Sequence, residues 1–552
     1  MTTSPQHGAE PANGASQAAH WHAQLVDALR SPAAYPDLCA DVELIETHIS
    51  SVLLAGAYAY KLKKPVHYGF VDFSTLEKRK RFCLEELRLN RRTAPQLYLD
   101  VVPVTGTLER PRIGGDGPVL EYAVRMQRFG SEQLLDRMAK AGTLDPALID
   151  AFAEQVAHFH AAIPKVAPDA VEGTTGEIWR WAHENFTELR RHRLFATDRV
   201  RLESLEDWTR REFEARRVAF VTRRLQGSVR ECHGDLHLGN VVVLDGRPVA
   251  FDGIEFNPAL SGIDVINEIA FPFADLFDHG LPRLAWRFLN RYLEVSGDYA
   301  GLAVLRFYAV YRAMVRAKVA RLRADGPHEH GDTRPVEDAE YHRQVALAQA
   351  LSVVPRPVVV VMTGLPASGK STVAEHLAEE IGAVRIRSDV ERKRLYGVPS
   401  REHPVTAYEG GLYGAEATRR TYERLATLAF DVVAAGYPVV VDASFSRRDE
   451  RAAFLDLAGR LDAAFFIVEC TAPVETLRER ITRRSEAGSD VSDATLPVLE
   501  RRLSETEPLG PEEQCFAWHV ATDADPTAVA ERCADLAQRW DFLARRGSGA
   551  PD

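Results

Sequence analysis

Apolar and polar residues follow two patterns along the chain, and the change between them falls near residue 353. Up to about residue 125, short apolar runs predict strands at 51–54 and 57–62, and apolar residues at helical spacing predict a helix at 76–90. A mostly helical pattern follows, interrupted by a strand-rich island at 230–256. The prolines of VVPRP (353–357) cannot continue a helix, so we place a domain boundary there.

After this boundary, strand-like apolar runs alternate with segments of helical pattern. The predicted strands lie at 358–363, 384–387, 439–442 and 465–470. Such alternation is typical of a parallel sheet covered by helices. We therefore predict an α/β fold for this part of the chain, after a separate α+β fold in the first part.

The length and composition of the chain fit a globular protein of two domains. Its 552 residues exceed what a single hydrophobic core usually fills, and 45% apolar and 27% charged residues are ordinary values. The predicted organisation is a disordered tail at 1–19, a first domain at 20–352, a linker at 353–357, a second domain at 358–545 and a disordered tail at 546–552.

The net charge and the cysteine content limit which classes of function and which cellular compartments fit the chain. A formal net charge of -11 disfavours a general nucleic-acid or anionic-membrane binder, although a local basic groove is compatible with it. The 6 cysteines form no Cys-x-x-Cys pair, which fits a reducing compartment. No apolar run approaches the roughly 18 residues that span a bilayer, and the N-terminus lacks a secretory pattern. We expect a cytoplasmic location and no membrane partner.

The segment VVVVMTGLPASGKST carries a phosphate-binding motif. Gly364, Gly369, Lys370 and Ser371 fit G-x-x-x-x-G-K-[ST] between a predicted strand and a predicted helix, the context in which this motif binds nucleotide. The lysine should reach the β- and γ-phosphates of ATP, and the serine hydroxyl should bind Mg²⁺. The nucleotide-binding residues are predicted to be Gly364, Leu365, Pro366, Ala367, Ser368, Gly369, Lys370, Ser371 and Thr372.

Two aspartates follow predicted strands of the same sheet. Asp389 and Asp442 would lie at the carboxyl edge of a parallel sheet, beside the phosphate loop, where ligands bind. We assign Asp389 as the base for the acceptor hydroxyl and Asp442 to the metal or its water shell. The alternative for each is a helix N-cap, which aspartate also favours.

Basic residues near these aspartates are further candidates. Arg392 and Lys393 come one helical turn after Asp389 and could face the acceptor. A lid that neutralises the transferred phosphoryl group would carry arginines, and Arg480 and Arg484 are our catalytic candidates. The alternative is a solvated, charged helix face. The candidate lid is the segment LRERITRRSEAGSDVSDA (477–494), whose arginines are Arg478, Arg480, Arg483 and Arg484.

A second motif lies in the strand-rich island, ECHGDLHLGNVVVLDGRPVAFDGIEF. His233, Asp235 and Asn240 fit the H-x-D-x-x-x-x-N spacing of a kinase catalytic loop, and Asp252 ends a strand twelve residues later. We assign Asp235 as the catalytic base, Asn240 and Asp252 to a metal, and His233 to the nucleotide site. The dipeptide at 245–246 predicts a hairpin turn that joins the two acidic positions.

The second part of the chain resembles a group of P-loop kinases. GLPASGKST, RSDVERKR, VVVDASFSRRDER and the arginine-rich segment are similar to zeta toxins, gluconate kinases and 5′-hydroxyl polynucleotide kinases. The resemblance covers about residues 356–545. It implies a three-layer α/β/α P-loop NTPase fold and ranks kinase above other P-loop activities. The step from Asp389 to Arg392 is similar to the acceptor-side pair of that group.

The first part resembles the aminoglycoside-phosphotransferase-like kinases, chiefly in HGDLHLGN and YAYKLKKP. The resemblance implies a bilobal protein-kinase-like fold, with an N-lobe at about 20–125 and a C-lobe at about 126–352. It also implies an ATP-clamping lysine on the third strand, with Lys61 favoured over Lys63. Glu86, or alternatively Glu85, would be its ion-pair partner, and residues 121–126 would form the adenine hinge.

Both halves together resemble bifunctional fusions that are commonly labelled AAA-family ATPases. The resemblance implies an ATP- and Mg²⁺-dependent phosphotransferase with two nucleotide sites, acting on hydroxyl groups of small molecules. Two alternatives stay open: a nucleotide-sensing regulatory protein with one degenerate half, or a C-terminal 5′-hydroxyl polynucleotide kinase. Net negative charge disfavours the nucleic-acid acceptor, whereas Arg392 and the lid arginines favour it.

Overall fold

The computed structural model describes residues 11–37, 39–68, 71–192, 196–324, 334–399, 414–487, 495–523 and 526–546. These residues form two compact units. One contains residues 1–144, 159–178 and 223–268, and the other contains residues 145–158, 179–222 and 269–552. Each described helix is too short or too polar to span a lipid bilayer. The predicted domain boundaries along the sequence stay a prediction.

An antiparallel sheet forms the first part of the chain. Its strand order is β1-β2-β3-β8-β6-β7, and the buried side chains of Leu53, Tyr60 and Leu62 pack with Leu25 and Leu29. The sheet therefore has one apolar face under the first helix. The elements are α1 (Pro11–Leu29), β1 (Val42–Glu46), β2 (Ser50–Ala55), β3 (Tyr58–Lys63), β4 (His67–Tyr68), β5 (Val71–Asp72), α2 (Leu76–Asn90), β6 (Tyr98–Thr107), β7 (Arg110–Ile113) and β8 (Val119–Gln127).

Helix α1 begins at Pro11, inside the segment 1–19 that the sequence predicts to be a disordered tail. The alanines of this segment have the highest helix propensity of any residue, and the later part of the helix is anchored by buried Leu25 and Leu29. Residues 1–10 and 547–552 lie outside the described residues.

The remaining first half is mostly helical, and its island of short strands carries the H-x-D motif. Strands β10 and β11 pair as an antiparallel hairpin, and Asp245 and Gly246 at its turn both have positive φ, 49° and 74°. This confirms the predicted turn. The elements are α3 (Leu135–Ala141), α4 (Pro146–Ala162), α5 (Thr175–Leu189), α6 (Ala196–Gln226), β9 (Val229–Glu231), β10 (Val241–Leu244), β11 (Arg247–Ala250), α7 (Pro258–Ser261), β12 (Gly262–Asp264), α8 (Val265–Asp278), α9 (Pro282–Ser296), α10 (Leu302–Ala324) and α11 (Arg334–Ser352).

The last part of the chain is built on a parallel sheet of order β14-β15-β13-β16-β17. Its central strand β13 is buried along its whole length, so its apolar run does not alternate. Because the strands are parallel, their carboxyl ends all lie at one edge of the sheet. The elements are β13 (Val358–Thr363), α12 (Lys370–Ile381), β14 (Val384–Arg387), α13 (Ser388–Leu395), α14 (Ala415–Ala434), β15 (Val439–Asp442), α15 (Arg448–Arg460), β16 (Ala464–Thr471), α16 (Val474–Ala487), α17 (Leu496–Glu505), β17 (Ala517–Ala521) and α18 (Pro526–Arg546).

Two candidate nucleotide sites

The first site is organised around an ion pair between distant segments. Lys61 on β3 donates to Glu86 on α2 at 2.8 Å and also contacts the carboxylate of Asp252, which lies 191 positions away. Burial opposes the charge on Lys61, but Asp252 and Glu86 outweigh it and hold the pKa of the ammonium well above its usual value. The lysine is therefore a fixed positive charge beside a half-exposed aspartate.

Lys63 lies on the same face of β3 but deeper. Its ammonium donates to the other carboxylate oxygen of Glu86 at 2.7 Å and contacts Glu255, and its side chain is only 1% exposed. The Lys61 side chain is 12% exposed, and its second partner, Asp252, is 43% exposed. Lys63 therefore belongs to the interior, whereas Lys61 faces the solvent-accessible side. Glu85 instead pairs with Arg88 near the surface.

The catalytic-loop motif forms a compact turn around Asp235. The amide of Asn240 donates to the backbone carbonyl of Asp235 at 3.0 Å and to its carboxylate at 3.1 Å. The Phe251 N–H donates to the Asn240 carbonyl at 2.9 Å, which ties the residue before Asp252 to the loop. The Asp235 carboxylate, with 37% of its side chain exposed, remains accessible to a ligand.

His233 is buried behind this loop. Its Nδ1 accepts from the Asp235 N–H at 3.4 Å, so its Nε2 carries the proton and donates to the Phe251 carbonyl at 2.8 Å. Burial lowers the pKa of the imidazole, which keeps it neutral. These contacts suit a bracing role for His233, while its predicted contact with nucleotide stays a prediction.

Glu268 on α8 anchors the same loop and was missed by the sequence reasoning. Its two carboxylate oxygens accept from the backbone N–H groups of His233 and Gly234, both at 2.7 Å. Burial disfavours its charge, but His160 and the His233 N–H outweigh burial and lower its pKa. Its place in an apolar run (VINEIAF) is the signal that could have revealed it, because a buried glutamate needs partners.

The segment around Asp252 is held in an uncommon conformation. Asp252 has φ 63°, in the left-handed region that non-glycine residues rarely adopt. Its N–H donates to the Tyr98 hydroxyl at 3.0 Å, and the Gly253 N–H donates to the Asn90 side chain at 2.7 Å. Neither Tyr98 nor Asn90 was predicted, because their roles depend on partners far away in sequence.

The predicted adenine hinge, 121–126, lies within β8. Glu121 is fully buried and accepts from Arg79 at 2.7 Å, and burial raises the pKa of this carboxyl to about 7 despite the arginine. Gly56, the only glycine of LLAGAYAY, has φ 58° and turns the chain between β2 and β3. The role of 121–126 in adenine binding stays a prediction.

The second site is the phosphate loop between β13 and α12. Gly364 has φ 138°, and a Cβ there would lie 2.4 Å from the Cys470 carbonyl oxygen, so only glycine fits. Gly369 has φ 79° and Ala367 has φ 63°. The Lys370 ammonium donates to the carbonyls of Gly364 and Leu365 at 3.0 and 2.8 Å. The loop thus has the tight backbone turn that the motif predicts.

Asp442 ends β15 at the same sheet edge. It is 5% exposed, and its Oδ2 accepts no hydrogen bond from any described residue. The nearest cation is Arg387, whose Nε lies 3.9 Å from that oxygen. Helix α15 begins only at Arg448, so Asp442 is not its cap. An orphaned buried carboxylate oxygen at the sheet edge that carries the phosphate loop fits the oxygen ligands that Mg²⁺ prefers.

Asp389 and its neighbours lie in helix α13. The helix begins at Ser388, and Asp389 lies in its first turn, after the N-cap residue Arg387. Arg392 is 7% exposed and donates to the Thr418 hydroxyl at 3.4 Å, and Lys393 is 1% exposed. Both basic side chains are therefore largely buried, and their role toward the acceptor stays a prediction.

The arginines of the predicted lid have separate partners. Arg480 donates to the carbonyl of Ala367 and the hydroxyl of Thr522, both at 3.2 Å, which places it against the phosphate loop. Arg478 pairs with Glu500 near the surface. The side chain of Arg484 lies outside the described residues. The catalytic roles of Arg480 and Arg484 stay predictions.

A polar cavity of about 220 Å³ adjoins the N-terminus of α12. Its walls are formed by helix α12, strand β14 and helices α4 and α9. Both acidic and basic side chains line them. The lining residues are Asp150, Glu154, Arg287, Asn290, Arg291, Ser371, Thr372, Glu375, Glu379, Arg385 and Arg387. The cavity opens beside the serine predicted to bind metal.

Comparison with known proteins identifies relatives over nearly the whole chain. The protein Rv2004c of Mycobacterium tuberculosis is 33% identical over 493 residues, which cover 87% of this chain and 95% of the relative. The protein Mb2027c of Mycobacterium bovis matches with the same identity and coverage. The chain belongs to the Rv2004c family.

Two domain families match inside this member of the Rv2004c family. The model of the "Phosphotransferase enzyme family" matches residues 71–254, and the model of an "AAA domain" matches residues 359–509. The chain is therefore a fusion of an aminoglycoside-phosphotransferase-like domain and a P-loop kinase-like domain. Its fold class is α+β followed by α/β, as predicted, and the matches support nucleotide binding and phosphotransferase activity.

Solved structures that resemble parts of the chain have low identity. A choline/ethanolamine kinase family protein of Mesorhizobium loti has 14% identity and a TM-score of 0.38, covering 59% of this chain and 99% of its own. A gluconokinase of Sinorhizobium meliloti has 21% identity and a TM-score of 0.25, covering 34% of this chain and 98% of its own.

Proposed function

We propose that the protein is an ATP- and Mg²⁺-dependent phosphotransferase with two nucleotide sites, each transferring the γ-phosphoryl group to a hydroxyl of a small molecule. The observation that carries the proposal is the meeting of Lys61, Glu86 and Asp252, which come from three separate segments. A charged lysine and a carboxylate at one point suit a triphosphate and its metal ion.

In the first site, each polar group has one proposed task. Lys61, oriented by Glu86, binds the phosphates of ATP. Asp252 and Asn240 provide the oxygen ligands for Mg²⁺, which would neutralise phosphate charge when bound. Asp235 accepts the proton of the acceptor hydroxyl, and the bonds from Asn240 hold its carboxylate in place.

In the second site, the backbone of the phosphate loop and the N-terminus of α12 bind the phosphates, and Lys370 neutralises their charge. Ser371 and Asp442 are the proposed Mg²⁺ ligands, and the orphaned Oδ2 of Asp442 supports this choice. Asp389 is the proposed base. Arg392, Arg480 and Arg484 are proposed to stabilise the transferred group.

The test compares the full-length wild type with Lys370→Ala, Asp235→Asn and the double variant. Each is incubated with ATP labelled on the γ-phosphate, with Mg²⁺ and with sugars, aminoglycosides, nucleosides or oligonucleotides. We expect each single variant to abolish transfer to one class of acceptor and the double variant to abolish both. Lys140→Ala and Asp207→Asn, both at exposed ion pairs, are the matched controls.

Other outcomes would identify the alternatives. A double variant that still consumes ATP at the wild-type rate contradicts both site assignments. Tight ATP binding without turnover at one site indicates a nucleotide-sensing half. Transfer to an oligonucleotide that weakens steeply with salt indicates a polynucleotide acceptor for the second site.

We further propose a cytoplasmic location. Each of the six cysteines, all within the described residues, lies outside a disulfide, which is usual in reducing compartments. Fractionation of the native host followed by immunodetection would test it, and recovery with periplasmic or secreted markers would contradict it.

A further inference from the structure

Helix α9 belongs to the first half of the sequence, yet it packs against strand β14 of the phosphate-loop sheet within one compact unit. The side-chain amide of Asn290 donates to the Ala383 carbonyl at 3.0 Å and accepts from the Arg385 N–H at 2.8 Å. These bonds satisfy a carbonyl and an N–H along the outer edge of β14, the last strand of its sheet, where such groups otherwise need a partner from outside the sheet. They fix α9 in one register along β14.

Glu294 lies four residues after Asn290, one turn along the same helix face. Its carboxylate accepts from Arg387 at 2.9 Å and from Arg385 at 3.3 Å, and it is only 7% exposed. Arg291 on its own helix donates to it at 2.8 Å. Burial disfavours its charge, but the three arginines outweigh burial and lower its pKa.

Both arginines held by Glu294 reach the proposed metal ligands. Arg385 donates to the backbone carbonyl of Ser371 at 3.2 Å. Arg387 extends between Glu294, 2.9 Å from its Nη1, and Asp442, 3.9 Å from its Nε. The guanidinium is therefore hydrogen-bonded to Glu294 and stops short of a hydrogen bond with Asp442.

We propose that Glu294 is a positioning residue for the phosphate-loop site: it holds Arg387 away from Asp442 and thereby keeps the Asp442 carboxylate available to a divalent metal ion. The proposal rests on the proposed function of this site. Without the Glu294 charge, Arg387 moves onto the nearest carboxylate, Asp442, and competes with the metal. A residue of the first half of the sequence thus controls the site of the second half.

The test uses the full chain with Lys61→Met and Asp252→Asn, which remove a proposed phosphate contact and a proposed metal ligand of the first site, so that Mn²⁺ binding and turnover report on the phosphate-loop site. Mn²⁺ binding in the presence of ADP is followed by electron paramagnetic resonance, and thermal midpoints are recorded without ligand. We expect Glu294→Gln to weaken Mn²⁺ binding at least tenfold and to raise the Mg²⁺ concentration for half-maximal ATP turnover. Glu379→Gln is the matched control, because Glu379 is also 7% exposed and pairs with Arg287 of α9.

A second substitution, at Arg387, distinguishes a positioning role of Glu294 from a merely structural one. In Glu294→Gln/Arg387→Gln, the competing cation is gone, so we expect Mn²⁺ affinity to return to within about threefold of the Arg387→Gln single variant. A Glu294→Gln variant with wild-type Mn²⁺ affinity, or a double variant no better than Glu294→Gln, overturns the inference. If the unsubstituted Glu294 protein binds no Mn²⁺ with ADP, the proposed function of this site fails first, and the inference with it.

Discussion

The two candidate sites hold their lysines in different ways. Lys370 donates to carbonyls of Gly364 and Leu365, six and five positions away, whereas Lys61 contacts carboxylates 25 and 191 positions away. The phosphate loop is thus shaped by its own backbone, and the first site is assembled by tertiary packing. Local substitutions should damage the former through backbone strain, and the latter through loss of charge balance.

The largest expected effect tests the backbone-built site. Gly364→Ala places a Cβ 2.4 Å from the Cys470 carbonyl oxygen at φ 138°, so the loop must rearrange. We expect ATP affinity at this site to fall roughly 1,000-fold, or about 4 kcal/mol, measured by titration calorimetry with Lys61→Met present to weaken ATP binding at the first site. Gly397→Ala is the control, since Gly397 has φ +67° with nothing within 4 Å. Equal losses in both variants would contradict the prediction.

The next effect separates two neighbouring lysines of the assembled site. Lys63→Met leaves Glu86 and Glu255 buried with too little positive charge, and should reduce the free energy of unfolding by about 3–4 kcal/mol. Lys61→Met leaves Glu86 paired with Lys63, so it should cost less stability but remove turnover at the first site. Chemical denaturation and turnover with Lys370→Ala present would check both. If Lys61→Met instead cost more stability and Lys63→Met removed turnover, the roles of the two lysines would be exchanged.

These comparisons also show what could be predicted from sequence. The bounds of β13 and β15 agree with the predicted ones, because unbroken apolar runs specify them locally. Glu255 and Glu268 were missed because a glutamate becomes a buried partner only when distant segments enclose it. Strand β17 was also missed, since its sequence, AWHVA, is short and only partly apolar.

A smaller effect is expected where the backbone of the catalytic loop is held by a side chain. In Glu268→Gln, one of the two N–H groups from His233 and Gly234 loses its acceptor, at a cost of about 2 kcal/mol. We expect turnover at the first site to fall roughly 30-fold, with ATP affinity nearly unchanged. Steady-state kinetics with Lys370→Ala present measure both. A change in affinity alone would show that the loop is held by other contacts.

The smallest effect concerns pH and lies away from both sites. Burial, with the charges of Lys64 and Arg79, lowers the pKa of His22 to about 4. Because the unfolded chain binds the proton more tightly, this histidine makes stability fall as pH decreases from about 6.5 towards 4. Between pH 7.5 and 5.5, His22 accounts for about 1 kcal/mol of the loss in the free energy of unfolding. His22→Gln should reduce the loss of stability over this range by that amount, measured by denaturation. An unchanged pH dependence would contradict a neutral His22.

The pairing of Asn290 with the edge of β14 has a practical consequence for truncation. The sequence between Ser352 and Val358 indicates a domain boundary. A cut there, however, would separate strand β14 from helix α9, which covers its open edge. The second fragment would expose an unpaired strand edge and an excess of guanidinium charge from Arg385 and Arg387. Such an edge promotes self-association, so the isolated fragment should be handled as an aggregation-prone species rather than as an independent module.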